Sequence, residues 1–258
     1  MSQFSDYGES YSRMAMQRSN GVLELRLHSE GKSFQWSLEA QRELVCAFTE
    51  IGADRENRIV IVTGTGEDFS GPRTNPDQNV YALSGVTPSP LALYHTHRNA
   101  RRLYAALLGI EVPMIAAVNG PVKRHGEIAL MCDIVIASHE ASFEDTAHFA
   151  LGSHVPGDGF NVVLTALLGL NRARYLMLTG QVLDSRQALE LGLVSEVMEK
   201  GGLMERARHI AMELNTKPEL LLRYTRMTLV QPLRRQLEES LGQSLAFEAL
   251  ATVDAHGR

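Results

Sequence analysis

The 258-residue chain holds only two cysteines, Cys46 and Cys132. Each sits in an apolar run, Leu44-Val-Cys-Ala-Phe48 and Leu130-Met-Cys132. Two cysteines cannot build a disulfide framework, and their surroundings predict two buried free thiols. Basic excess is missing as well. The 25 Lys and Arg residues stand against 30 Asp and Glu, for a formal charge of −5, so no nucleic-acid partner is expected. The nearest basic cluster, Arg98, Arg101 and Arg102, has helical spacing and reads as one solvated face. No apolar run approaches the roughly 20 residues of a membrane span, which argues against a membrane partner. Met1 to Asn20 is polar and lacks the apolar centre of a signal peptide, which predicts a cytoplasmic protein.

The apolar fraction, 44%, and the charged fraction, 21%, are those of a packed globular protein. The length predicts one large domain, or one domain with a small appendage. Gly21 to His28 alternates apolar and polar residues, the period of a half-buried strand. Ser37 to Ile51 places Leu38, Leu44, Val45, Phe48 and Ile51 at helical spacing, with Ser37 as N-cap. Arg58 to Thr63 and Val112 to Val118 are continuous apolar runs of the kind buried on both faces of a parallel sheet. Residues 70 to 90 are rich in Gly, Pro, Ser and Asn and predict a loop. Ala92 to Leu108 predicts a helix, and Glu127 to Met131 the start of a short one. Asp133 to Ala137 and Ala141 to Phe143 predict two further strands. From Asn161 the chain is mostly helical, with a short strand near Val194 to Val197 and a break at Lys217-Pro218. Strands alternating with helices, followed by helices alone, predict an α/β spiral with a helical C-terminal part. We divide it as residues 1–200 and 201–258.

Three segments follow buried strands, where α/β enzymes place reactive groups: Thr63 to Gly71, Ala116 to Glu127, and Ala141 to Phe143 running on to Val155-Pro-Gly-Asp-Gly159. His95-Thr-His97 invites a metal reading. Ligands two apart on a helix diverge, so no metal is assigned there or elsewhere. Gly64-Thr-Gly66 lacks the Lys-Ser/Thr of a phosphate loop and reads as a turn. His154 reads as a plain loop histidine.

The order Ile59 to Gly64, Pro113 to Asn119-Gly120, Met131 to Ala137, Pro156-Gly157, Leu178-Thr-Gly180 and Gly192-Leu-Val194 resembles the crotonase (enoyl-CoA hydratase/isomerase) superfamily. The resemblance implies a spiral of ββα turns, a C-terminal helical trimerisation region and an oxyanion hole. It also implies a homotrimer or a hexamer built as a dimer of trimers. The departures are specific. The turn after Asn119-Gly120 reads Pro121-Val-Lys-Arg-His-Gly126, with His125 where that family has glycine. Of the two hydratase glutamates, Glu127 stands at the first position and His148 at or beside the second. The usual Ala-Gly-Ala-Asp segment reads Gly71-Pro-Arg-Thr74.

Gly31 to Trp36, Asp54 to Asn57, Ile110 to Pro113, His148-Phe149, Val155 to Gly159 and Leu245 to Leu250 are similar to 6-oxocamphor hydrolase and related β-diketone hydrolases within that superfamily. This resemblance implies cleavage of a C–C bond between two carbonyls of a small-molecule diketone, without a cofactor. Such a retro-Claisen cleavage needs an activated water, an oxyanion donor and an enolate stabiliser. The resemblance implies His148 as base, suited by an ordinary pKa near 6.5. It implies Asp158 as the carboxylate that orients His148. It implies Trp36, whose indole N–H is a donor only, and His125 as oxyanion donors, and Glu248 as the residue that holds the water or relays a proton. Glu127 stays open between a relic acid, a helix-terminal charge and a pocket wall. Two rivals stand beside this reading: an enzyme of acyl-CoA thioesters, and a catalytically silent binding subunit.

Overall fold

The computed structural model describes residues 3–73, 89–151 and 154–256. Most of the polar stretch at 70–90, Thr74 included, lies outside the described residues. Eight strands and nine α-helices are present among those described. A short helix α1 (Phe4–Tyr7) leads into β1 (Met14–Ser19) and β2 (Val22–Leu27). Helix α2 (Leu38–Ala53), β3 (Ile59–Thr63), α3 (Pro90–Gly109) and β4 (Met114–Val118) follow. Next come α4 (Glu127–Leu130), β5 (Ile134–Ser138), β6 (Ser142–Phe143), α5 (Phe160–Leu168) and α6 (Leu170–Thr179). The chain ends with β7 (Leu183–Asp184), α7 (Ser185–Glu190), β8 (Glu196–Met198), α8 (Lys200–Asn215) and the long α9 (Glu219–His256).

The main sheet has the order β1-β2-β3-β4-β5-β8. Only the β1–β2 pair is antiparallel. Strand β1 falls in the segment read from sequence as polar. Its turn, Asn20-Gly21, has both residues at positive φ, the geometry of a two-residue hairpin. The runs at β3 and β4 are buried along their whole length, as a two-sided parallel sheet requires. Their period of two sorts the side chains. Ile59, Ile61, Ile115, Ala117 and Ile136 face α8, where Leu203, Ala207, Ile210 and Ala211 meet them. Val60, Val62, Met114, Ala116 and Val118 face the larger core with α2 and α3. Each fully buried branched side chain contributes about 1.5–3 kcal/mol of transfer free energy. Residues beyond 200 therefore cover one face of the sheet through α8.

A second row of short pairings runs beside the main sheet. Gln35 pairs with Gly71, Ser70 with Val122, and Val122 with Phe143. Strand β6 then pairs with β7. Each successive turn of the spiral thus delivers one short segment to the same row. Helix α9 is pinned to the main sheet by a fully buried arginine. Arg226 Nε donates to Asp133 Oδ2 at 2.8 Å, and that oxygen also accepts from the Met114 backbone N–H at 2.7 Å. Ser37 caps α2 as expected, its hydroxyl accepting from the Ala40 N–H at 3.0 Å.

The thiols differ from expectation. Cys132 is buried, but Cys46 is exposed. On α2 the buried positions are 44, 45, 47 and 48, and Cys46 points outward with Arg42 and Thr49. An apolar run on a helix does not bury all its members, because successive residues lie 100° apart. Arg98, Arg101 and Arg102 are solvated, as predicted. No described helix is long and apolar enough to cross a membrane.

Candidate active site

The second row of pairings sets the site. Trp36 follows Gln35. Arg124 and His125 follow Val122. Glu144 and Asp145 follow Phe143. The five residues predicted from sequence, Trp36, His125, His148, Asp158 and Glu248, line one cavity of about 90 Å³. Tyr104, Arg124, Glu127 and Gln41 share its wall, as do His97 and His154. His95 is exposed instead, so the His95-Thr-His97 pair does divide between cavity side and solvent.

His148 sits between two carboxylates. Its Nδ1 lies 2.5 Å from Asp145 Oδ1, and its Nε2 lies 3.3 Å from Asp158 Oδ2. The imidazole and Asp158 do meet, and the shorter of the two contacts is to Asp145. Asp158 holds the second nitrogen, and its Oδ1 accepts from the Phe160 backbone N–H at 3.2 Å. Burial disfavours the imidazolium, but the charges of Asp158 and Asp145 together outweigh it and raise the His148 pKa well above the ordinary value. Burial alone would raise Asp158, but the imidazolium beside it, with His125, holds it far below the usual carboxylate range. Asp145 is pushed up by burial, partly offset by His148.

His125 occupies a left-handed backbone position, φ 53, at the turn where the hydratase pattern has glycine. A non-glycine residue there costs about 1–2 kcal/mol. The ring is held from two sides. Its Nδ1 lies 2.6 Å from Glu127 Oε1, and Trp36 stacks on it with ring centroids 3.4 Å apart. Glu127 Oε1 also accepts from the Tyr104 hydroxyl at 3.2 Å. Glu127, left open from sequence, is thus the buried support of His125. Neither the Trp36 Nε1–H nor the His125 Nε2 has a protein partner among the described residues.

Glu248 reaches the cavity from α9, where most carboxylates face solvent. Burial, and then the charge of Asp158, push its pKa up to about 8. Its Oε2 has no hydrogen-bond partner. The approach depends on Gly157. A Cβ there would lie 2.4 Å from the Ser244 carbonyl and 3.0 Å from the Glu248 Cβ. Gly159 takes φ +108 and leaves room for the Tyr104 ring, which a Cβ would meet at 2.8 Å. The Pro-Gly-Asp-Gly turn thus brings Asp158, α9 and α3 together.

Sequence reasoning missed Asp145, Tyr104, Arg124 and Gln41. Asp145 had a signal, a carboxylate three residues before His148. Tyr104 shares the buried face of α3 with Ala100, Leu103 and Leu107, and a buried phenol needs a partner. Arg124 carried no signal of its own. His125, Glu127 and Asp158 also place one ligand atom each within 4.8 Å of one another, a spacing open to a metal ion. Within that group His125 Nδ1 and Glu127 Oε1 are paired with each other, Glu127 Oε1 also accepts from Tyr104, Asp158 is engaged by His148 and the Phe160 N–H, and Glu127 Oε2 has no partner.

A spiral α/β fold whose turns converge on one buried cavity is the architecture of the crotonase enzymes. The family model described as enoyl-CoA hydratase/isomerase matches residues 17–254, and the chain belongs to that family. It is 33% identical over 172 residues to a probable peroxisomal enoyl-CoA hydratase of Arabidopsis thaliana, a match over 66% of this chain and 60% of that protein. It is 31% identical over 213 residues to a short-chain-enoyl-CoA hydratase of Clostridium acetobutylicum, over 81% of this chain and 76% of that one. Among solved structures it is similar to a β-diketone hydrolase from the cyanobacterium Anabaena sp. PCC 7120, bound to (S)-3-oxocyclohexyl acetic acid. That likeness has 38% identity and a TM-score of 0.91, over 97% of this chain and 98% of the other.

Proposed function

We propose that this protein hydrolyses a C–C bond of a cyclic β-diketone, giving a keto acid by a retro-Claisen route without a cofactor. The observation that carries this reading is the chain Asp145–His148–Asp158, which ends in the same cavity as the unpartnered indole N–H of Trp36. Similarity to the cyanobacterial β-diketone hydrolase supports it. Water attacks one carbonyl carbon, and its proton passes to the Asp158–His148 pair. Trp36 and His125 hold the oxyanion that forms; one such donor is worth about 3–4 kcal/mol in comparable sites. The tetrahedral intermediate collapses, the C–C bond breaks, and its electron pair leaves as an enolate on the second carbonyl. The proton taken from water returns to the enolate carbon, with Glu248 as relay. The sum is diketone plus water to keto acid.

The hydratase reading draws support from the names of relatives, but the cavity offers an imidazole beside the second hydratase glutamate position. Incubation with a bicyclic 1,3-diketone decides between them. Loss of the enol absorbance with release of one equivalent of acid is expected. Absence of turnover together with tight coenzyme A binding favours the acyl-CoA enzyme. Neither result, in a well-formed oligomer, favours the silent subunit. A homotrimer or hexamer belongs to the same reading. It draws support from Leu220, Leu221, Tyr224 and Leu229, large apolar side chains exposed on α9. Light scattering on the purified chain reads the mass.

A further inference from the structure

We infer that Arg124 is the carboxylate-binding residue of this cavity: it holds the acid group created at the attacked carbonyl. The inference rests on the hydrolase reading above for the origin of that acid.

Two arginines make the case. Arg226, fully buried, spends Nε on Asp133 and Nη1 on the Ile110 carbonyl, leaving Nη2 without a partner. Arg124 is half-buried in the cavity wall, and its guanidinium makes no hydrogen bond or ion pair among the described residues. It lines the main cavity and also a smaller one of about 20 Å³ behind His125 and His148. Burial of an unpaired cation is costly, and burial here lowers the Arg124 pKa. The backbone is fixed, since the Ser70 hydroxyl donates to the Arg124 carbonyl at 2.5 Å. A guanidinium on an anchored backbone, left unpaired at a cavity wall, is free to take a ligand.

The remaining charges say which ligand. Asp158, Glu127 and Glu248 act on Arg124 through space without bonding it. An anion entering among these acids is repelled unless a cation receives it. A neutral diketone gains little from a guanidinium. A carboxylate gains two parallel N–H···O bonds, the strongest pairing open to arginine. The subsite therefore takes a product-like acid in preference to its neutral analogue, and tightens its hold as the acid forms.

The test is calorimetric titration of the full chain with (S)-3-oxocyclohexyl acetic acid and with its primary amide. The native protein is expected to bind the acid about 10- to 100-fold more tightly than the amide. Arg124→Met should erase that ratio and leave amide binding unchanged, while Arg124→Lys keeps part of it. Equal binding of acid and amide by the native protein overturns the inference, as does full acid affinity in a folded Arg124→Met variant. If Arg124→Met fails to fold, the native ratio and the lysine variant decide. The titration needs no turnover, so acid preference in a protein inert toward diketones sinks the hydrolase reading and leaves the carboxylate site standing.

Discussion

His148 and His125 each hold Nδ1 against a carboxylate, at 2.5 Å from Asp145 and 2.6 Å from Glu127. Their other faces differ. His148 Nε2 meets a second carboxylate, Asp158, at 3.3 Å. The His125 ring is covered by the Trp36 indole, and its Nε2 is left for a ligand. Two similar local pairs thus sit in different surroundings: His148 lies between two carboxylates, whereas His125 lies against Glu127 and under an indole, with Asp158 farther off at 3.8 Å from its Nδ1.

The largest expected effect comes from removing what makes the His148 side distinct. Asp158→Asn should lower kcat by about 10²–10⁴-fold with the fold intact by circular dichroism. Retention of more than a tenth of the activity would leave the proton relay without support. Trp36→Phe keeps the stack on His125 and deletes the N–H. It should cost about 10²-fold in kcat with little change in KM; a KM effect alone would make Trp36 a packing residue. Asp145→Asn removes one of the two charges that raise the His148 pKa. The imidazole titration, followed by NMR, should move down toward the ordinary value, with activity lowered about 10-fold. An unmoved titration would erase the distinction between the two histidines.

The smallest effect is on stability. Glu248 has a folded pKa raised to about 8 by burial. Its contribution is fullest below the unfolded carboxyl value near 4.3 and is lost as pH rises toward 8. Glu248→Gln should therefore raise Tm more at pH 9 than at pH 5, by a few degrees. The same gain at both pH values would mean that Glu248 does not titrate in the folded state.

The strands β3, β4 and β5 were legible because a doubly covered parallel strand is apolar throughout, and helix α2 because its period and its Ser37 cap agree. Strand β1 was not, since Met14 and Met16 are its only large buried residues and Gln17 and Arg18 lie between them and the turn. The five predicted site residues do share a cavity, and Asp158, ten residues after His148, does meet its Nε2 at 3.3 Å. A second carboxylate was not foreseen: Asp145, three residues before His148, makes the shorter contact with its Nδ1.

Residue order alone determined the α/β alternation, the membership of the site and the substitution of histidine for the hydratase glycine and glutamate. It could do so because hydrophobic period and residue type are local properties. Three-dimensional packing decided which nitrogen faces which carboxylate, which of two cysteines is covered, and that Glu248, nearly 90 residues beyond Gly159, closes the cavity. It also decided that the Arg124 side chain lines the cavity without a partner among the described residues. Charge pairing and burial depend on what the spiral and α9 bring together across the chain, and no local pattern records that.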